Sequence, residues 1–235
     1  MNKPKPVYLL AGGQRENPGG MLSLFSKIFK AYGVAHPTVA YIGAASGDNW
    51  MFFKLIAGLL KAAGAREVIR VILAGKQADA AGARGQISAA EVIFISGGDV
   101  EAGMRWLQHH ALIPFLKKLY AGGKPFFGVS AGSIMLGKQW VRWEDPKDDA
   151  TAELFDCLGI APLVCDTHAE NENWEELQAA VKLMPGSRQG FGIPTGGVLR
   201  VSAAARPAAG EKACAVYANR NGKAVRLADL PARDF

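Results

Sequence analysis

Five short apolar runs punctuate the first 130 residues, each closed by glycine or another small residue, with helix-period segments between several of them. The runs are Val7-Tyr8-Leu9-Leu10-Ala11, Thr38-Val39-Ala40-Tyr41-Ile42, Glu67-Val68-Ile69-Arg70-Val71-Ile72-Leu73, Glu91-Val92-Ile93-Phe94-Ile95 and Lys124-Pro125-Phe126-Phe127-Gly128-Val129. Continuous apolar runs of this length read as strands buried on both faces. In residues 21–32, Leu22, Phe25, Phe29 and Tyr32 fall on one helix face. Residues 49–63 read as a second helix stopped by Gly64, and residues 100–119 as helical with a break at 109–114. Strand, helix, strand in repetition implies right-handed crossovers. The expected fold is therefore α/β, a three-layer sandwich with a mainly parallel sheet and helices on both faces. Loops that act on ligands gather at the carboxyl ends of such strands. Gly12-Gly13, Ala44-Ala45-Ser46, Gly97-Gly98-Asp99 and Ser130 all fall there.

The remainder is less regular. Residues 143–150 read as a polar loop, 152–158 as a short helix, 161–165 as an apolar run and 174–183 as a helix. Gly190-Phe191-Gly192-Ile193-Pro194 reads as a turn, and residues 198–203 and 213–218 as antiparallel edge strands joined by a Pro/Gly loop. No repeat or linker divides the chain. The expectation is one domain over 1–235 with a small antiparallel C-terminal extension.

With 49% hydrophobic residues and a mean hydropathy of +0.07, the chain has ample material for a core and does not read as disordered. The net charge of +6 is spread along the sequence without a basic stripe or interleaved aromatics, so nucleic acid is not expected as a partner. No apolar stretch reaches the roughly 18 residues needed to span a bilayer. Cys157, Cys165 and Cys214 match no zinc spacing and read as reduced thiols of a cytoplasmic protein. Gly19-Gly20 and the Gly82 to Gly85 stretch lack the Lys-Ser/Thr ending of a phosphate loop and read as turns. No metal, cofactor or membrane partner is expected; the expected partner is a small peptide substrate, and a homodimer is compatible with the sequence.

Gly128-Val129-Ser130-Ala131-Gly132 carries the chemistry. A serine hydroxyl attacks a carbonyl only when exposed and served by a base. A sharp turn between a buried strand and a helix exposes it, and needs small neighbours because the backbone is cramped. Gly128, Ala131 and Gly132 meet that need, and the helix-compatible Ser133-Ile134-Met135-Leu136 follows. Among the four histidines, His36, His109 and His110 read as solvated. His168 follows the apolar run Leu163-Val164-Cys165 and so reaches the rim that holds Ser130.

The chain resembles the serine peptidase family that contains dipeptidase E and cyanophycinase, whose fold is that of class I glutamine amidotransferases. The matching features are Gly12-Gly13, Ile95-Ser96-Gly97-Gly98-Asp99, Phe127-Gly128-Val129-Ser130-Ala131-Gly132, Phe155-Asp156-Cys157-Leu158-Gly159-Ile160 ahead of His168, and Gly190-Phe191-Gly192-Ile193. They cover most of residues 7–201. The resemblance implies Ser130 as nucleophile, His168 as its base, and the backbone N–H groups of Gly98 and Ala131 as the oxyanion hole.

For the acid, the resemblance offers Asp145, fifteen positions after Ser130, with Glu144 adjacent. A solvated-loop reading of Asp145 stands beside it. Cyanophycinase-like members instead place a glutamate after the glycine-rich segment, where this chain has Pro194-Thr195. They also carry arginines beyond the histidine, where this chain has Glu170, Asn171, Glu172, Asn173 and Trp174. Asp99, Asp166 and Glu170 are therefore the candidate substrate-binding residues, forming an acidic rim suited to a cationic group. The function so implied is a serine hydrolase acting on small peptides or dipeptides. Two alternatives remain open: a binding protein that kept the fold without the reaction, and an α/β-hydrolase-type esterase. Glutamine amidotransfer is disfavoured because no cysteine lies at the elbow.

Overall fold

A computed structural model of the 235-residue chain describes residues 3–12, 18–145, 148–202 and 205–233. Its main sheet contains the five expected strands: β1 (Val7–Leu10), β2 (Thr38–Ile42), β3 (Glu67–Val71), β4 (Val92–Ile95) and β5 (Phe126–Val129). They run parallel in the order β1-β5-β4-β2-β3. Later in the chain, β10 (Val198–Ser202) pairs antiparallel with β1, and β11 (Ala205–Gly210) extends that edge.

The order explains the layers. The chain moves outward from β1 to β2 to β3, then returns from β3 to β4 to β5. Right-handed crossovers place outward and returning helices on opposite faces. α1 (Pro18–Tyr32) and α2 (Trp50–Ala62) cover one face; α3 (Ala80–Ala89), α4 (Val100–His109), α5 (Ile113–Ala121) and the short α6 (Ala131–Leu136) cover the other. Strand residues alternate accordingly. Tyr8, Leu10, Val39, Tyr41, Val92, Phe94 and Phe127 join the core under α1 and α2. Val7, Leu9, Ala40, Ile42, Ile93, Ile95 and Phe126 join the opposite core. The first core is aromatic: Phe25 and Phe94 meet edge-on with centroids 5.8 Å apart, and Phe127 lies 4.8 Å from Phe94. Each such side chain contributes about 1.5–3 kcal/mol by leaving water. The three-layer α/β architecture with a mainly parallel sheet is as the sequence implies.

A second sheet in the order β13-β12-β9-β8 and a β6–β7 hairpin complete the described chain. The hairpin joins β6 (Gln139–Trp143) to β7 (Ala152–Asp156). The second sheet holds β8 (Val164–Thr167) and β9 (Gln189–Ile193), which are parallel, then β12 (Ala215–Arg220) and β13 (Lys223–Arg226). α7 (Glu175–Leu183) packs on β9.

Several local expectations are corrected here. Residues 152–156 are strand, because Trp140, Val141 and Arg142 give them a partner that helical spacing alone does not reveal. Residues 198–202 and 215–220 do not pair with each other; they belong to different sheets. Residues 190–193 are strand rather than turn. A Cβ on Gly190 would lie 2.6 Å from Val181, and one on Gly192 2.6 Å from the Trp174 ring. The glycines allow close approach of a helix, a role distinct from turning the chain. Gly82 and Gly85 lie within α3, and Gly19-Gly20 within the first turn of α1. Gly13, Ala203 and part of the 143–150 loop lie outside the described residues.

The three cysteines are free and buried. Burial pushes the Cys157 and Cys214 thiols up to about 12 and Cys165 well above its ordinary value, which leaves them protonated. Among the described residues no helix is long and apolar enough to cross a membrane.

Candidate active site

Ser130 stands between β5 and α6 with φ 54° and ψ −129°. A positive φ is strained for a serine and persists only where neighbours hold it. Its N–H donates to Leu10 O at 2.8 Å. Ser133, three residues on and fully buried, donates its hydroxyl to the same carbonyl at 2.8 Å and accepts the Leu10 N–H at 2.8 Å. Helix α6 is thereby fastened to β1. Glycine is required around the turn for steric reasons. A Cβ on Gly132 would meet Ile95 O at 2.1 Å, and one on Gly128 would meet Gly132 O at 2.6 Å. Gly98 has φ +142°, and its Cβ would lie 2.1 Å from Ala45 O. The loops after β2, β4 and β5 are thus packed backbone on backbone.

His168 arrives from the second sheet. β8 ends at Thr167, and His168 takes φ 49°, its N–H donating to Ile193 O at 2.9 Å. Its Nε2 lies 2.7 Å from Ser130 Oγ. With the ring proton on Nδ1, Nε2 accepts the serine hydroxyl, the arrangement a general base requires. Two side chains 38 positions apart, on different sheets and both at positive φ, are therefore in hydrogen-bond contact.

The pair opens into a cavity of about 630 Å³, within the range of small-ligand sites. Gly98 and Ala131 line it beside Ser130, as do Asp99 and Asp166. Asp99 also caps α4, accepting the Ala102 N–H at 2.7 Å. The far wall was not foreseen from sequence. It comes from Trp140, Arg142 and Trp143 on β6, Phe155 on β7, and Glu172, Glu175 and Glu176 leading into and opening α7. The dense acid spacing of residues 170–176 is its one sequence signal.

The remaining candidates lie elsewhere. Glu170 is not among the lining residues; its Oε1 accepts the Thr195 N–H at 3.0 Å. Burial works to raise its carboxyl. The Thr195 hydroxyl and N–H, its own N–H and the charge of His168 outweigh that and hold it below its ordinary value. Asp145 is exposed in the β6–β7 connection, where its N–H and carbonyl both engage the Thr151 hydroxyl, and neither it nor Glu144 lines the cavity.

Asp166 is the unusual acid. It is 4% exposed; Oδ1 accepts the Thr167 N–H at 2.7 Å, and Oδ2 has no hydrogen-bond partner. Burial pushes its carboxyl up to about 7, with Glu176 and Glu172 adding to the rise and the Thr167 and, least, the Leu177 N–H groups opposing it. Glu176 has exposed surface, yet protein crowding its carboxyl raises it too, against the pull of Trp140. Among the described residues, no three His, Cys, Asp or Glu side chains are grouped to hold a metal ion.

The model of peptidase family S51 matches residues 7–207, from the first strand through both sheets' contributions to this cavity. The chain belongs to peptidase family S51. Peptidase E of Pasteurella multocida is 25% identical over 123 residues, covering 49% of this chain and 52% of that protein. The pyridoxal 5'-phosphate synthase subunit PdxT of Geobacillus stearothermophilus is 27% identical over 128 residues, covering 54% of this chain and 60% of the relative. This S51 chain therefore matches little more than half the length of these curated relatives. The crystal structure of a peptidase from an acI-B1 Actinobacterium superposes over 98% of this chain and 96% of that one, with TM-score 0.67 and 16% identity, a likeness of fold.

Proposed function

We propose that the protein is a serine peptidase of small peptides, with Ser130 as nucleophile and His168 as general base. The observation that carries this reading is the 2.7 Å contact between Ser130 Oγ and His168 Nε2 in the lining of an acidic cavity. In the proposed reaction, His168 takes the hydroxyl proton as Oγ bonds to the scissile carbonyl carbon. The backbone N–H groups of Gly98 and Ala131 receive the developing oxyanion. His168 then returns the proton to the departing amine, and water releases the acyl group by the same steps in reverse.

The carboxylate that steadies the histidine in this scheme is Glu170. Thr195, in the position where the resemblance leads one to expect a glutamate, instead binds Glu170 through its N–H. A carboxylate is so supplied from the loop of the histidine itself, and His168 is among the groups that hold it below its ordinary value. Asp145 lacks this placement, being off the cavity.

The test is hydrolysis of a dipeptide and tripeptide panel followed by mass spectrometry. The expected result is cleavage by the native protein and none by Ser130→Ala or His168→Ala. Equal turnover by native protein and Ser130→Ala would overturn the proposal.

A further inference from the structure

The cavity carries a charge opposite to that of the chain. The protein has a net charge of +6, yet six carboxylates line this space: Asp99, Glu101, Asp166, Glu172, Glu175 and Glu176. The one arginine there, Arg142, is already engaged, 3.1 Å from Glu101 and 2.6 Å from Glu153. Asp99 is occupied as a helix cap. With Glu101 held by Arg142 as well, Asp166, Glu172, Glu175 and Glu176 remain, and of these Asp166, Glu172 and Glu176 act on one another electrostatically.

Acids gathered at a surface need no explanation beyond solvation. Asp166 does need one. A buried carboxylate oxygen short of donors is costly: Asp166 Oδ2 has no partner at hydrogen-bond geometry, the Leu177 N–H is the smallest influence on the carboxyl, and Asp166 lines the cavity two residues before His168. A ligand donor would satisfy it. We propose that Asp166, Glu172 and Glu176 form a subsite for the ammonium or guanidinium group of a cationic substrate. This rests on reading the cavity as the substrate site and adds to it the charge of what enters. Among the described residues no three such side chains are grouped as a metal site requires, which favours an organic cation with several N–H donors.

The groups facing Asp166 make entry of the cation dependent on pH. Glu172 and Glu176 press on it from the approach to α7 and its first turn, and its own neighbour Cys165 is a neutral thiol. Glu175, Asp99, Glu101, His168 and the engaged Arg142 line the same cavity. With its carboxyl raised to about 7, Asp166 holds a proton in mildly acidic solution that an arriving cation displaces. Affinity for the cation is therefore expected to rise as pH increases through about 7.

The cation has two possible sources, the α-ammonium or a basic side chain, and four ligands separate them. Ser130→Ala protein, with intact Gly98, His168 and acids, is titrated by calorimetry at pH 8. The ligands are lysyl-alanine, norleucyl-alanine, Nα-acetyl-lysyl-alanine and Nα-acetyl-norleucyl-alanine. The last carries no cationic group and is expected to bind at least about tenfold more weakly than lysyl-alanine, as loss of one charge-assisted contact implies. Whichever singly charged ligand retains tight binding identifies the source. In the Glu172→Gln/Glu176→Gln background the preference is expected to shrink to about threefold or less. Equal binding of all four, no saturable binding of any, or a preference untouched by the double substitution would overturn the subsite. Hydrolysis by the native protein is read separately. Tenfold discrimination without any turnover contradicts the peptidase reading and leaves the subsite; turnover with flat discrimination does the reverse.

Discussion

Ser130 and His168 are held by different kinds of structure. Ser130 sits where backbone packs on backbone: Gly132 against Ile95 O, Gly98 against Ala45 O, and Leu10 bonded to both Ser130 and Ser133. His168 begins a loop, residues 168–174, in which His168, Asn173 and Trp174 all adopt positive φ. Beneath that loop, Gly190 on β9 makes room for Leu177 and Val181 of α7, and Gly192 for Trp174 of the loop itself. Ser130 is fixed by main-chain sterics and His168 by side-chain packing and local strain.

The sharpest way to break this comparison is chemical. Ser130→Ala and His168→Ala are each expected to lower kcat on the best peptide by on the order of 10⁴-fold or more, and the double variant by no more than either alone, since the two act as one unit. Additive losses, read by steady-state kinetics, would separate them.

Next is steric. Gly132→Ala places a Cβ 2.1 Å from a main-chain oxygen, whereas Gly192→Ala places one 2.6 Å from the Trp174 ring. Urea denaturation is expected to show loss of about 3 kcal/mol or more at Gly132 and about 1–3 kcal/mol at Gly192, where a side chain shifts. A larger loss at Gly192 would contradict the distinction.

Asp166 offers a third contrast, in pH. A carboxyl raised to about 7 in the folded protein binds protons more tightly there than in the unfolded chain, so its ionisation costs stability above about 7. Asp166→Asn is expected to raise thermal stability most at pH 8, with the gain shrinking as pH falls through 7 toward the ordinary carboxylate range. A gain independent of pH would rule out the raised carboxyl.

The smaller effects concern support. Glu170→Gln is expected to lower kcat by up to about 100-fold, the cost of misplacing a reacting group by roughly 1 Å, and to leave KM nearly unchanged. Asp145→Asn should stay within about twofold. The reverse ranking would return Asp145 to the role the resemblance gives it. Ser133→Ala strips Leu10 N–H of its partner and should cost about 1–3 kcal/mol in urea denaturation.

The two regions also differed in how much their sequence disclosed. The parallel sheet was legible because strands buried on both faces must be continuously apolar, and Val92-Ile93-Phe94-Ile95 has few other readings. The elbow was legible because small residues crowd it. The second sheet was not. Gly190 and Gly192 look like a turn until Trp174, Leu177 and Val181 are seen lying on them. Residues 152–156 look helical until β6 pairs with them across the intervening connection. The cavity's acids were partly foreseen: Asp99 and Asp166 line it, but Glu170 turns to Thr195, and Glu172, Glu175 and Glu176 stand in its place. Direction of a side chain from a strained loop follows from its φ values, which residue type alone does not supply.

The central claim is that Ser130 is an activated nucleophile. Treatment of native protein, Ser130→Ala and His168→Ala with a fluorophosphonate at pH 8, followed by peptide mass spectrometry, tests it most directly. The account predicts a single adduct on Ser130 in the native protein, none in Ser130→Ala, and labelling slowed by on the order of 100-fold or more in His168→Ala. An unlabelled native protein, or one labelled equally fast without His168, would contradict it.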